Sequence, residues 1–415
     1  MTRWTVVGGG AAGCVVAARL SEIDSNHVTL LEAGPDHGAT VGAPGTPVLD
    51  RPSLLRPGAA VVRRRQGTPE PYAQGFGVGG SSLVNAGVVV GDVGMESIDH
   101  DLPLATTARF GPLAGAVLSA TSDAAPVALV MRNGRRTTVA DVYLRPALGR
   151  PNLTLVPGAA VDRIALDGRR TIGVQTADGR QIEADRVVLC AGAIGTPEIL
   201  LRSGVDTPGV GEGLQDHAGV VVSFDLRQPA GDAVAIGVTV ERPNRQIVVM
   251  DRLPGRGDMG AVIAGLLRIG SVGRVTLPDP AGTANVQLDQ LSHPADEAGL
   301  IAVAREAIEL LRAPAVRDVV GDAYADADGR RIEDVEADDG VFRGWIADHL
   351  GGYHHLAGSC RVGVALDADG SLRGYQGVAV GDASALPGVP LRNPYLTTVR
   401  AAEVLARHWA SDRHR

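Results

Sequence analysis

The stretch Trp4-Thr5-Val6-Val7-Gly8-Gly9-Gly10-Ala11-Ala12-Gly13-Cys14-Val15-Val16-Ala17-Ala18-Arg19-Leu20 decides the fold. Its β-branched opening reads as a strand, its glycine cluster as a tight turn, and its small apolar residues as a helix. Gly8, Gly10 and Gly13 stand at G-x-G-x-x-G spacing. The first glycine makes the turn, the second lets backbone approach a pyrophosphate, and the third packs helix on strand. The next apolar run, Val28-Thr29-Leu30-Leu31, ends in Glu32, 19 residues after Gly13. An acid at that distance accepts hydrogen bonds from the adenosine ribose hydroxyls. The unit is βαβ and opens a parallel sheet, its helix N-terminus facing the phosphates. The turn alone leaves both NAD and FAD open.

Outward from this unit, prolines and glycines recur from Pro35 to about Gln74 without hydrophobic periodicity, which predicts a long surface excursion bordering a site. Within it, Arg63-Arg64-Arg65 reads first as a solvated loop and second as an anion contact. Asn152-Leu153-Thr154-Leu155-Val156 and Val161-Asp162-Arg163-Ile164 alternate like strands of one small sheet, with hairpin turns at Asp167-Gly168 and Asp178-Gly179. Arg186 to Cys190 reads as a buried strand returning to the first sheet, followed by a helix carrying Ile199, Leu200 and Leu201. Strands are expected at Val220-Val221-Val222, Ile247 to Met250 and Val286 to Leu288, and helices over Pro294–Leu311 and about Leu396–Trp409. Val378-Ala379-Val380-Gly381-Asp382 reads as a strand ending in a Gly-Asp pair. The dinucleotide domain is therefore discontinuous.

With 415 residues the chain is long enough for two fused domains. A net charge of -8 argues against nucleic acid or an anionic membrane as partner. All 39 basic residues besides histidine are arginine, which points to a high-GC bacterial source rather than to an activity. Cys14, Cys190 and Cys360 are too few and too widely spaced for a disulfide framework or a zinc site, so a reducing compartment is expected and no metal ligand is assigned. The start of the chain runs straight into the first strand, and no stretch has the roughly 18 apolar residues a membrane span needs. The expectation is a cytoplasmic protein with no integral membrane segment.

Four further segments resemble the glucose-methanol-choline (GMC) family of flavoenzymes. Gly79-Gly80-Ser81-Ser82-Leu83-Val84-Asn85 is similar to the family's first signature, and Gly192-Ala193-Ile194-Gly195-Thr196-Pro197 through Ser203-Gly204-Val205 to its second, departing from it where Asp206 replaces the usual glycine. Gly211-Glu212-Gly213-Leu214-Gln215-Asp216-His217 matches the short motif that follows. His354-His355-Leu356-Ala357-Gly358-Ser359 resembles the stretch that carries the base, and Arg392-Asn393-Pro394 the place of its partner. The resemblance implies an α/β protein: a Rossmann-like FAD-binding domain of discontinuous chain (1–217 and 351–415) plus a smaller α+β substrate domain on an antiparallel sheet (218–350). It implies FAD, bound non-covalently because Val84 stands where some relatives have a linking histidine.

By the same resemblance His355 is the proton-accepting base and Asn393 holds the developing alkoxide, with hydride passing from an alcohol carbon to the flavin. His354 and His217 are placed as structural. Cofactor contacts are implied at Gly8, Gly10, Ala11, Ala12, Gly13, Glu32 and Ala33 at the nucleotide end. Gly79, Ser81, Asn85, Val161, Ala191 and Gly192 follow along the flavin, and Gly381, Asp382, Asn393, Pro394 and Tyr395 complete the set. About Gly91 to Pro126 is expected to be a shortened lid. Gly149-Arg150-Pro151-Asn152-Leu153 resembles members associated with mycofactocin. The substrate implied is a small-molecule alcohol, with oxygen, a quinone-like molecule or a redox protein open as acceptor. A lyase of the same scaffold, a non-catalytic flavin-binding protein and an NAD dehydrogenase are the competing classes.

Overall fold

The computed structural model describes residues 1–38, 42–90, 99–107, 109–279 and 282–411. Five parallel strands form the first sheet, in spatial order Leu153–Pro157, Asn26–Glu32, Thr2–Val7, Arg186–Leu189 and Val378–Val380. By sequence this is order 3-2-1-4-5, the doubly wound arrangement in which a nucleotide lies outside the carboxyl ends of the strands. The helices Ala11–Leu20 and Pro394–Ser411 pack together on the sheet, burying Val15, Val16, Val399, Ala402 and Ala406 with Val6 and Leu30.

Leu153–Pro157 is the edge strand of this parallel sheet, in register with Val28 to Glu32, and not part of the small sheet expected for it. Its alternation arises because an edge strand has one open face. The small antiparallel sheet holds Val161–Asp167, Arg170–Thr176 and Gln181–Glu183. Residues 149–153 serve the fold: Arg150 donates to Ala18 O, and Asn152 Nδ2 to the carbonyls of Ser21, Ile23 and Asn26. These bonds tie the approach to Leu153–Pro157 to the end of the first helix and to the turn that leads into Asn26–Glu32.

The second layer is a seven-stranded sheet whose main path runs Val320–Tyr324, Ala218–Leu226, Met259–Leu266, Arg245–Met250, Ile236–Arg242 and Ala124–Pro126; Gly351–Gly352 pairs with its second strand. Strand alternation sorts its two faces. Val220, Val222, Phe224, Ile247 and Val249 pack under the helix Pro294–Arg312 in a single core, whereas Val221, 45% exposed, stands on the opposite face. Of the expected lid, 91–98 and 108 lie outside the described residues. Pro112–Ala120 buries Leu113, Ala114 and Val117 in the core of the second layer, and Ala124–Pro126 extends its sheet. Those residues are built into the wall of the molecule rather than laid over it.

Candidate active site

A cavity of about 860 Å³ runs from the Gly8–Gly10 turn to the free face of the seven-stranded sheet. Its nucleotide end is made by the first strand and helix. No side chain caps the helix Ala11–Leu20, so the first N–H groups, with Ala11 and Ala12 on the cavity wall, open toward it. Glu32 accepts from the backbone N–H of Gly9 (2.7 Å) and Gly34 (2.8 Å), and burial raises its pKa against those bonds. Gly80, at φ +52, approaches Gly10 so closely that a Cβ there would lie 2.6 Å from the Gly10 Cα. The two glycine segments, 70 residues apart in sequence, thus form one rim. A backbone-lined slot with unpaired N–H groups at one end fits the pyrophosphate and adenosine of a dinucleotide.

Most expected contacts line this cavity: Gly8, Gly10, Ala11, Ala12, Glu32 and Ala33, then Ser81, Asn85, Val161, Ala191 and Gly192, and finally Asp382, Asn393, Pro394 and Tyr395. Gly13, Gly79 and Gly381 stand behind the wall. Gly13 packs against the Gly8 carbonyl, Gly79 N–H donates to Gly9 O (2.7 Å), and Gly381 faces Trp409. Asp382, expected to touch the flavin, is already well bonded. Its carboxylate accepts from Gly192 N–H and Thr196 on one oxygen and from Ser384 N–H and hydroxyl on the other. It ties the second signature to the C-terminal strand. Asn85 Oδ1 accepts from Arg136 and from Gly87 N–H, which turns its NH₂ group away from them.

At the other end, one tripeptide grips the two loops that carry His355 and Asn393. Gln215 Oε1 accepts from Val389 N–H, Asp216 Oδ1 accepts from His355 N–H at 2.8 Å, and the His217 ring bridges the two loops. His217 Nε2 lies 2.8 Å from Pro390 O, three residues before Asn393, and its Nδ1 lies 2.9 Å from His355 Nδ1. A carbonyl only accepts, so His217 carries its proton on Nε2. Burial holds the pKa of His217 down to about 4, so the ring is neutral and its Nδ1 accepts. His355 therefore donates from Nδ1, and its Nε2 is left unprotonated on the cavity side. The pKa of His355 is also held well below the ordinary value, first by desolvation and then by His217 and His354. The His217 ring is entirely shielded from solvent; the His355 ring is open only to the cavity.

Asn393 stands on the same cavity immediately before the helix Pro394–Ser411, and its buried Oδ1 has no partner among the described residues. His354 lines the cavity at φ +61, its ring 4.8 Å from that of Tyr72. Two features escaped the sequence. Tyr353 lies over Gly219 and Gly265, whose missing Cβ atoms leave room for its ring, 5.5 Å from His355. Two glycines paired across neighbouring strands are visible only once register is known. Arg63, read as solvated, is buried and donates to Glu70, because the strand Ala60–Val61 carries it inward.

Fold and cavity together define a dinucleotide-binding protein of Rossmann type. The chain belongs to the GMC oxidoreductase family: residues 118–219 and 270–402 match its two models, and residues 6–53 match the NAD(P)-binding Rossmann-like domain. An uncharacterized GMC-type oxidoreductase of Rhodococcus erythropolis is 30% identical, with 96% of each chain covered. The alignment runs over 497 positions, so the relative carries insertions that this chain of 415 residues lacks. An oxygen-dependent choline dehydrogenase of Chromohalobacter salexigens is 26% identical over 97% of this chain and 94% of its own. The fold is that of pyridoxine 4-oxidase from Mesorbium loti, at TM-score 0.88, 21% identity and full coverage of both chains. A mutated formate oxidase of Aspergillus oryzae superposes at TM-score 0.85, with 18% identity and 99% coverage of both. FAD is the cofactor of this family and of this chain. Among the described residues no helix is long and apolar enough to cross a membrane.

Proposed function

We propose that this chain oxidises an alcohol to an aldehyde or ketone, with His355 as base. The division into 1–217 with 351–415 for FAD and 218–350 for substrate is part of this reading. The observation that carries it is the His217–His355 hydrogen bond, which leaves a neutral imidazole with a bare Nε2 facing the cavity. FAD would be held along Gly8, Gly10, Ala11, Ala12, Glu32, Ser81, Asn85 and the start of the helix at Pro394, and would supply the hydride acceptor. Val84, buried beside the cavity, offers no nucleophile for a covalent link. His355 Nε2 takes the hydroxyl proton, and the Asn393 amide orients the same oxygen and stabilises its growing charge. The Pro394–Ser411 helix directs its N-terminal N–H groups toward the cavity, where negative charge accumulates.

Absorbance of the purified protein, followed by anaerobic addition of a panel of alcohols, tests the reading. Bleaching of the flavin band by an alcohol supports it; a bound flavin that no alcohol reduces transfers weight to a lyase or a binding protein.

The depressed pKa of His355 sets the pH response. The base is active when neutral, so activity is lost as pH falls through its folded-state pKa, which lies well below 6.5. Flavin reduction is expected to be flat from about pH 8 down to about pH 6 and to fall only in more acid solution. An acid limb centred at or above the ordinary histidine value refutes this assignment.

His217→Phe keeps ring volume but removes the acceptor for His355 Nδ1–H. Freed of it, His355 can rotate or exchange tautomer. The rate of flavin reduction is expected to fall roughly 10–100-fold, the cost of a misplaced catalytic group, with little change in KM. His217→Gln, which retains an acceptor oxygen, should recover part of the loss. Equal rates in His217→Phe and the unmodified enzyme would leave His217 a packing residue only.

A further inference from the structure

We infer that the substrate is an uncharged alcohol carrying a bulky apolar group, neither a cation nor an anion; this rests on the alcohol-oxidising reading above. The cavity is strongly divided in character. Its lining carboxylates and arginines are Glu32, Arg56, Asp162, Glu198, Arg202 and Asp382. All six stand at the nucleotide end or along the second signature, and they are engaged there. Glu198 binds both Arg56 and Arg202, Arg202 also reaches Asp162, and Glu32 and Asp382 accept the backbone bonds described above.

The sheet face opposite is different. Val221, Ile236, Val248, Met250 and Ile263 project from four adjacent strands into the cavity, and the polar side chains among them are the neutral Thr239 and Gln246. Among the described residues no carboxylate or arginine of this face lines the cavity. Glu241 is on the same face by register but does not line the cavity. Its Oε1 accepts from Gln246 Nε2, and its Oε2 lies 3.7 Å from Arg392 Nε. Desolvation lowers the pKa of His355 well below the ordinary value and that of the more exposed His354 to about 4, Arg63 adding to the second. A quaternary ammonium needs a carboxylate or a cage of rings, and this face has Tyr353 alone. A carboxylate needs an arginine fork, and no arginine lines this part of the cavity.

A charge brought into such a pocket loses its water and gains no partner, whereas an apolar group gains burial. The site therefore selects against choline, although the relative from C. salexigens is named for it. With the carbinol between His355 and Asn393, the remainder of the substrate lies along the Val221 to Met250 wall.

Choline and 3,3-dimethyl-1-butanol have the same shape and differ in the charge of one central atom, so they isolate this variable. Each is titrated anaerobically into the FAD-loaded enzyme, and both the perturbation of the flavin spectrum (binding) and its bleaching (reduction) are recorded. The neutral alcohol is expected to bind roughly 100-fold or more tightly than choline, the charge having no compensation. Choline binding as well or better overturns the inference, as does a neutral alcohol that gives no perturbation up to roughly 0.1 M, weaker than the millimolar scale of ordinary substrate binding. Bleaching is judged apart from binding. If the neutral alcohol binds and no alcohol bleaches the flavin, the oxidation reading fails and the pocket assignment stands; if choline alone binds and bleaches, the reverse holds.

Discussion

Replacing His355 by alanine is expected to slow alcohol-driven reduction of the flavin by roughly 10²- to 10⁴-fold, the usual worth of a positioned general base, with the flavin still bound. The loss is large because no second group stands ready. His217 is spent on the Pro390 carbonyl and has no face on the cavity, and His354 leans on Tyr72. Retention of flavin follows from where the loop is held. Asp216 grips the backbone N–H of residue 355, not its side chain, so truncation leaves the loop in place and orphans only His217 Nδ1. Stopped-flow reduction under nitrogen, normalised to bound flavin, gives the answer. A rate within tenfold of the unmodified enzyme would remove His355 from the chemistry.

Gly13→Ala is expected to yield protein with at least a roughly tenfold lower flavin content and a lowered melting temperature. A Cβ at residue 13 would overlap the Gly8 carbonyl oxygen and sit 3.3 Å from the Cys190 Cβ. Both neighbours directly follow strands of the sheet, whose hydrogen bonds hold them, so neither can step aside. The helix must lift from the first strand, at a cost of about 3 kcal/mol, the upper end of ordinary overpacking, against a gain of about 1 kcal/mol in helix propensity. Lifting the helix also withdraws its N–H groups from the pyrophosphate. Gly115→Ala is the control: it lies exposed in the helix Pro112–Ala120 with no atom within 4 Å of the added Cβ, and should stabilise by about 1 kcal/mol. Normal flavin content in Gly13→Ala would show that the turn tolerates displacement.

The parallel sheet was legible because it is local: strand, glycine turn, helix, strand and acid follow one another within 32 residues, each with its own period or turn chemistry. The return of Arg186–Leu189 and Val378–Val380 was legible for a related reason, each holding three consecutive apolar residues, Val187 to Leu189 and Val378 to Val380, buried on two faces. Leu153–Pro157 was placed in the wrong sheet because an edge strand and a strand of a half-exposed hairpin alternate alike. At the site, His355 and Asn393 were reached through resemblance. The role of His217 was not, since nothing in a sequence says that residue 217 touches residue 355 and that a carbonyl at 390 fixes its proton. The sheet face was hidden for the same reason. Val221 and Val248 read as core valines until register shows which way each points.

The interruption of the first sheet bears on how the protein is made. Arg186–Leu189 pairs with Thr2–Val7 on one side and with Val378–Val380 on the other. On a ribosome adding roughly 5–20 residues per second, about 190 residues must follow before that second partner exists, a delay on the order of 10–40 s. Throughout it, Val187, Val188 and Leu189, which are sealed in the finished molecule, would present an open apolar strand edge of the kind that recruits other chains. Shielding of this edge during synthesis is therefore a requirement for soluble protein that the stability of the completed molecule does not meet.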